Sequence, residues 1–334
     1  MEPGVKTPYT QQGNLGIQRQ LTKDLALNVS YFWSRGVQLS GVRDMNLPGL
    51  SSQTFTYTID DAGGNPVGSY TTPVYLGSRP NKSFGGIYQD ENGVNSYYNA
   101  LAVSAAKSFA HGFTAQLSYT WSHEIDDGQS YGESTNNLFG SNANYWTVNG
   151  DYKQNKSSGN LDQQQRFVLS WAWAPTFTHR GGAFYKYVVN GWQLSSITAI
   201  STGWPYTVSV KVNDSSSATV VPGMFSNYNL SLSGLSNVVP FWPYYGHYYP
   251  SRYNSDARLS KMLPIGEKGL RLALNFEVFN LSNSWSPTSI SSYQAFTELK
   301  GVLTATPLGL GSADGGFPDG TQARRMQLSA RFSF

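Results

Sequence analysis

The sequence predicts an all-β fold, a transmembrane antiparallel up-and-down β-barrel, and three observations predict it. Segments of about ten residues alternate apolar and polar side chains with unusual regularity. Only 13% of residues are charged and 14% are aromatic, where soluble domains carry about 25% charge. Yet mean hydropathy is negative, and no stretch approaches the roughly 18 uninterrupted apolar residues of a spanning helix. Barrel strands place only every second residue on lipid, so a barrel reconciles a lipid-suited composition with the lack of a long apolar run.

The strands follow in order. The first falls near residues 12 to 21. After the short turn TKD comes LALNVSYFWS, where Leu25, Leu27, Val29, Tyr31 and Trp33 share a face opposite Ala26, Asn28, Ser30, Phe32 and Ser34. A third strand near 98 to 109 leads through AHG into FTAQLSYTWS, which sets Phe113, Ala115, Leu117, Tyr119 and Trp121 against Thr114, Gln116, Ser118, Thr120 and Ser122. RFVLSWAW sets Phe167, Leu169, Trp171 and Trp173 against Arg166, Val168, Ser170 and Ala172. Strands near 191 to 202 and 253 to 263 are less clean. Past the turn PIGEKG, LRLALNFEV places Leu270, Leu272, Leu274, Phe276 and Val278 opposite Arg271, Ala273, Asn275 and Glu277. The chain closes on RRMQLSARFSF, with Met326, Leu328, Ala330, Phe332 and Phe334 opposite Arg325, Gln327, Ser329, Arg331 and Ser333. Over the five clean strands all 24 residues of the first face are apolar against 5 of 23 on the second, which specifies strands and their register. Nine strands result.

Connections sort into two classes. Residues 22 to 24, 110 to 112 and 264 to 269 are short turns, and 175 to 190 form a medium one. The alternate connections, about 36 to 96, 124 to 162, 203 to 252 and 282 to 322, are long loops rich in Gly, Ser, Asn, Asp and Pro. Short turns on one rim and long loops on the other describe an outer-membrane barrel. With the short turns periplasmic, Trp33 and Trp121 fall at the outer ends of their strands. Trp173, Trp192, Phe109, Phe113 and Phe334 fall at the periplasmic ends, giving two aromatic belts at headgroup level. A β-sandwich is the rival fold, disfavoured because its strands are mostly about 5 to 6 residues long.

Function classes narrow by exclusion. A net charge of +3 is too weak to argue for nucleic acid. There is no Cys, and the sequence carries no GxSxG, P-loop or HExxH motif, so no enzyme is expected and neither cofactor nor metal is implied. His111, His123, His179 and His247 lack a second ligand at useful spacing. The acidic pieces IDDAGGN, EIDDGQ and ADGGFPDG offer oxygens to a calcium ion but miss EF-hand spacing, and turn chemistry accounts for them. In FWPYYGHYY, Phe241, Trp242, Tyr244, Tyr245, Tyr248 and Tyr249 could stack on a sugar or other flat ligand, while packing between loops is the favoured reading. On the polar faces Arg166, Arg271, Glu277, Arg325 and Arg331 point into the lumen, to tune a pore or to hold a plug.

Seven segments carry a family resemblance: PYTQQGNLGIQRQL, SYYNALAVSAAKSF, SYTWSHEIDDG, QQRFVLSWAWAPTF, VNGWQLSSITAISTGWPYTV, DARLSKMLPIGEKGLRLALNFEVFNLSN and RRMQLSARFSF. In order and spacing they resemble the barrel of TonB-dependent receptors of the Oar-like, acidobacterial type. The resemblance implies that residues 1–334 are a C-terminal part of a 22-stranded barrel, its last nine strands. The absent partners would then be N-terminal strands, a plug and, through the plug, the TonB system of the inner membrane. Met1 is followed by EPGVKTPYT, with neither a basic n-region nor an apolar h-region. The resemblance further implies uptake of a ligand captured by the loops. It also implies that the terminal pattern Met326, Leu328, Ala330, Phe332, Phe334 is read by the barrel assembly machinery. The alternatives are a porin-like or structural outer-membrane protein that closes on itself, and a secreted carbohydrate-binding β-domain.

Overall fold

The computed structural model describes residues 4, 6–46, 50–75, 80–84, 87–127, 152–212, 235–239, 241–266, 269–311 and 323–333. Its strands begin with β1 (Tyr9–Thr22), β2 (Leu25–Asp44), β3 (Leu50–Asp60), β4 (Pro66–Tyr75), β5 (Tyr88–Ala110), β6 (Phe113–Asp126) and β7 (Ser157–Ser158). They continue with β8 (Gln165–Trp173), β9 (Trp192–Ser201), β10 (Pro205–Tyr206), β11 (Ser209–Val212), β12 (Leu235–Val238) and β13 (His247–Tyr248). The last are β14 (Arg252–Ile265), β15 (Leu270–Phe279), β16 (Ile290–Ser292), β17 (Gln294–Leu299), β18 (Val302–Ala305), β19 (Gly309–Leu310) and β20 (Arg325–Ser333). Among the described residues no helix is long and apolar enough to cross a membrane.

Nine strands form one antiparallel wall in the order β1-β2-β5-β6-β8-β9-β14-β15-β20, with β7 paired to β6 beside that path. These are the nine strands that alternation predicts. Register transmits the apolar face from strand to strand: Leu27 stands opposite Ala105, Ala105 opposite Leu117, and Leu117 opposite Leu169. Beyond Leu169 the same row carries Thr198 and Ser255, whose hydroxyls satisfy each other at 2.9 Å. The predicted face does not fill a core between stacked sheets. Leu27, Val29, Leu117, Leu169 and Leu272 are half-buried and Leu328 is 81% exposed, which disposes of the sandwich.

The short rim owes its tightness to turn chemistry. Ala110 pairs with Phe113 around His111 and Gly112, whose φ values of 53° and 78° make the two-residue hairpin turn that suits twisted strands. At the β1–β2 turn, Asp24 takes a hydrogen bond from Thr22 at 2.7 Å and pairs with Lys107.

The long rim departs from expectation. The segments expected as loops contribute long stretches of strand: β2 runs on to Asp44 and β5 begins at Tyr88, so the wall projects past the belt level. Loop pieces also build a second, six-stranded sheet in the order β12-β11-β17-β18-β3-β4. The physical reason lies in residues that the loop composition masked. QTFTYTID alternates with period two, and AFTELKGVLTA is a hairpin whose Lys300 and Gly301 take φ of 51° and 82°. Its joins are parallel, β11 to β17 and β18 to β3. This outer sheet has a buried core of its own, to which its strands give Tyr57, Val210, Ala295, Phe296 and Leu303, with Val208 just ahead of β11. A barrel wall is covered by lipid and needs little core of its own.

Among the described residues β1 pairs only with β2, and β20 only with β15. The last residue, Phe334, lies outside the described residues.

Candidate functional site

On the polar face of the wall, one row of residues crosses six strands: Thr114, Ala172, Ser195, Arg258, Glu277 and Gln327, each opposite the next. A cavity of about 530 Å³ lies along it. Half of the row is small, and its charges neutralise each other. Arg258 Nε donates to Glu277 Oε1 at 2.8 Å and its Nη2 reaches the same oxygen, giving a carboxylate held by two N–H groups. One turn of the pleat above, Asp256 Oδ1 accepts the Asn280 N–H at 2.8 Å.

The five charges predicted for this face do not converge. Glu277 lies in the cavity. Arg325 stands opposite Phe279, beyond Glu277 towards the long rim. Arg271 stands opposite Ser333 and Arg331 opposite Ala273, both near the short rim. Arg166 lies four strands from the C-terminal edge, opposite Thr120 and Ser201, near the long rim. Arg258, the partner of Glu277, was not foreseen, because alternation in the 253 to 263 strand is too broken to assign its faces. Pairing with the clean strand 270–278 assigns them.

At the long rim a buried carboxylate joins two connections. Asp162, whose side chain is 1% exposed, meets His123 Nδ1 at 2.9 Å and accepts the Glu124 N–H at 2.9 Å and the Tyr248 hydroxyl at 3.0 Å. Tyr248 Oη also meets Ser158 Oγ at 2.6 Å and accepts Gln164 Nε2 at 3.0 Å. Burial, and then the charge of Asp162, push the Glu124 carboxyl above its ordinary range; burial does the same for Asp127. Ser158 bonds to a tyrosine and His123 to a carboxylate, so the cluster holds no hydrogen-bonded serine–histidine pair for nucleophilic catalysis. What the cluster does is clamp the β6–β8 connection to the β9–β14 connection. Asp162 sits in LDQQQR, a segment without periodicity or motif, and nothing in the sequence singles it out.

The six predicted ring residues of the 241–249 segment are absorbed into packing. Phe241 lies 5.5 Å from Phe296 and 5.2 Å from Tyr70 between ring centroids. Trp242 lies 4.8 Å from His247, Tyr244 stacks edge-on against the buried Tyr245 at 4.9 Å, and Tyr248 belongs to the Asp162 cluster. Tyr249 packs on Tyr206 at 4.7 Å and its hydroxyl meets that of Tyr293 at 2.7 Å. Burial raises the Tyr249 and Tyr206 hydroxyls and lowers His247. An exposed ring that sequence reasoning missed is Trp204, with the Arg252 guanidinium 5.7 Å from its centre.

The residues expected in the belts, Trp33, Trp121, Trp173 and Trp192, are all exposed on the apolar face. Trp121 and Phe113 lie eight residues apart on β6, about 27 Å of extended strand, which a barrel's tilt brings close to the roughly 25 Å apolar band. Trp33 sits inside β2 rather than at its end, as β2 continues beyond the belt.

Of the acidic segments, Asp61 already accepts the backbone N–H groups of Gly63 and Asn65 at 2.8 and 2.9 Å, and Asp127 accepts that of Asn95 at 2.6 Å. Both carboxylates are shaping backbone. Residues 313 to 320 lie outside the described residues. No group of three or more His, Asp or Glu that could hold a metal ion occurs among the described residues.

Against known proteins, a family model described as an outer membrane beta barrel domain matches residues 1–307. The fold is similar to that of the outer membrane transporter YddB from Escherichia coli, with a TM-score of 0.44 and 10% identity, covering 98% of this chain and 33% of that one. The chain thus spans about a third of that transporter's length. No curated protein matches the chain.

Proposed function

The chain belongs to the outer membrane beta barrel domain family, and on that premise we propose that it is part of the wall of a TonB-dependent receptor, a transporter rather than an enzyme. It resides in the outer membrane. The observation that carries the proposal is the long rim: pieces of three connections fold into a sheet with its own core, and the β6–β8 connection is clamped to one of the three through Asp162. A passive pore needs only short or flexible loops, whereas a receptor needs a preformed outer surface on which a ligand can be captured.

The remaining parts follow from the same reading. Among the described residues the outer sides of β1 and β20 have no strand partner, and in hydrocarbon each unsatisfied backbone group costs several kcal/mol, so further barrel strands complete the wall and a plug fills the lumen. The small residues of the polar row let a plug approach closely, and Arg258 and Glu277 give it polar groups to bond. TonB, driven by the inner-membrane proton gradient, moves the plug. The terminal alternation ending in Phe334 delivers the barrel to the assembly machinery.

Crosslinking in the source bacterium tests this. A tag inserted at the exposed turn Gly63–Gly64 between β3 and β4 should recover TonB after formaldehyde treatment of intact cells, and an uncoupler that collapses the proton gradient should change the yield. A tagged barrel that reaches the outer membrane yet never crosslinks to TonB overturns the proposal.

A further inference from the structure

Three connections on the short rim are turns of two to four residues. The fourth, between β8 and β9, occupies residues 174–191 and contains a single π-helical turn, Tyr185–Val189. It is longer than a hairpin requires, and its composition is one-sided. Phe177, Phe184, Tyr187 and Val188 are all exposed, Arg180 and Lys186 are exposed beside them, and the segment contains no Asp or Glu.

The segment is also held in place. Asn190 Oδ1 accepts the N–H groups of Phe177 and Thr178 at 2.9 and 3.3 Å, and its Nδ2 donates to Thr178 O at 2.7 Å. Lys261, on the apolar face of β14, turns its ammonium to Val188 O at 2.9 Å and Asn190 O at 2.5 Å, 4.5 Å from the centre of the Trp192 ring. Trp192 Nε1 donates to Val188 O at 3.0 Å. Phe177 packs edge-on against Trp173 and Phe184 against Tyr185, yet both rings keep more than half of their surface exposed, and fixed rings so exposed need an apolar phase. Trp192 and Lys261 also form one end of a groove of about 550 Å³ on the lipid side of the wall, continued by Leu259, Leu274, Phe276 and Leu328. Cations and groove therefore share one end of the barrel.

We propose that this segment is a phospholipid anchor. It takes a glycerophospholipid with an anionic headgroup from the surrounding bilayer, with one acyl chain along the groove, the phosphate at Arg180 and Lys186, and Phe177, Phe184 and Tyr187 at the boundary of headgroups and chains. Rings with an apolar body and a wet edge, beside basic residues, are the chemistry of that boundary. The occupant is identified by charge: the segment offers cations and no carboxylate, so a net anionic headgroup is preferred over a zwitterionic one.

Native mass spectrometry of the full chain in mild detergent, titrated with dioleoyl phosphatidylglycerol or dioleoyl phosphatidylcholine, tests the preference. The wild-type chain should retain the anionic lipid more tightly. The pair Arg180→Ser and Lys186→Ser should weaken that retention roughly 25-fold, the product of about fivefold for each cation near an anionic headgroup, and leave phosphatidylcholine unchanged. Both side chains are exposed, so the variant should fold. Equal retention of the two lipids by the wild type, or of the anionic lipid by wild type and variant, overturns the proposal. A photoreactive benzoyl-phenylalanine gives a second reading in phosphatidylglycerol vesicles. Placed at Phe184 it should form lipid adducts, and placed at the exposed long-rim residue Phe84 it should not. Absence of adducts at 184 overturns the anchor regardless of the mass spectra.

Discussion

Tyr248 and Asp162, 86 residues apart in sequence, are joined at 3.0 Å by a phenol donating to a carboxylate that solvent barely reaches. The bond links the β6–β8 connection to the β9–β14 connection, and His123 and the Glu124 amide converge on the same carboxylate. One buried acceptor thus governs how two connections of the long rim sit relative to each other.

Replacing Asp162 with Ala leaves the Glu124 N–H and the Tyr248 hydroxyl without their acceptor. Each buried donor so orphaned costs roughly 1 to 3 kcal/mol. The expected outcome is faster hydrogen exchange at Glu124 and faster protease cleavage of the long rim, with exchange in β14 and β15 unchanged. Unaltered protection at Glu124 contradicts the clamp.

Acidification should tighten the same region. The folded-state pKa of Glu124 is raised above its unfolded value of 4.5 by burial and by Asp162. Its protonated form is therefore the one that folding favours: that contribution is fully present below about pH 4.5 and is lost as pH rises through the raised value. Long-rim exchange protection, corrected for intrinsic rates, should increase as pH falls from 7 towards 4.5. Glu124→Gln should flatten that slope, and Asp127→Asn, at a carboxyl raised by burial in the same way, should flatten it further. A slope that Glu124→Gln leaves intact assigns the effect elsewhere.

The two faces of the wall should respond oppositely to charge. Leu272→Arg puts a cation on the lipid side and should cost roughly 2 to 4 kcal/mol of membrane stability, while Ser118→Arg on the polar side costs far less. Refolding yields into bilayers check the asymmetry, and equal yields refute it.

Arg258→Ala strands Glu277, whose side chain is only 12% exposed. The loss should fall at about 1 to 3 kcal/mol, between exposed pairs near 1 or below and buried ones at 3 to 5. The double variant with Glu277→Ala should recover part of it in urea unfolding. Additive single losses mean that the pair is not coupled.

Deleting Phe334 from a receptor that contains this barrel should lower outer-membrane insertion before it alters ligand affinity. Fractionation of cells measures this, and undiminished surface levels refute a role in assembly.

The wall was legible because its physics is local. A lipid face and a polar face impose period two on every strand, so Leu117 or Leu272 declares its side without knowledge of its neighbours. The outer sheet was not legible as a sheet, although Phe55, Tyr57 and Ile59 alternate cleanly. Four of its six strands have only four to six residues, the others are set among Gly and Asn, and the partner of β3 comes from the far end of the chain. Arg258 lay between these cases, recoverable once β14 was paired with β15. Asp162 was invisible, since a buried acceptor is defined by donors that only tertiary structure brings to it.

In the outer sheet, Val302, Leu303 and Thr304 run parallel to Thr58, Ile59 and Asp60. Closing a loop of some 240 residues is entropically slow, and isolated two-stranded hairpins such as β3–β4 are marginal by themselves. The centre of that sheet therefore waits for β17 and β18 to emerge, which happens only after eight of the nine wall strands have been made. The outer surface is the last part to mature, and resistance of its β3–β4 hairpin to a protease added outside the cell would report when the wall is complete.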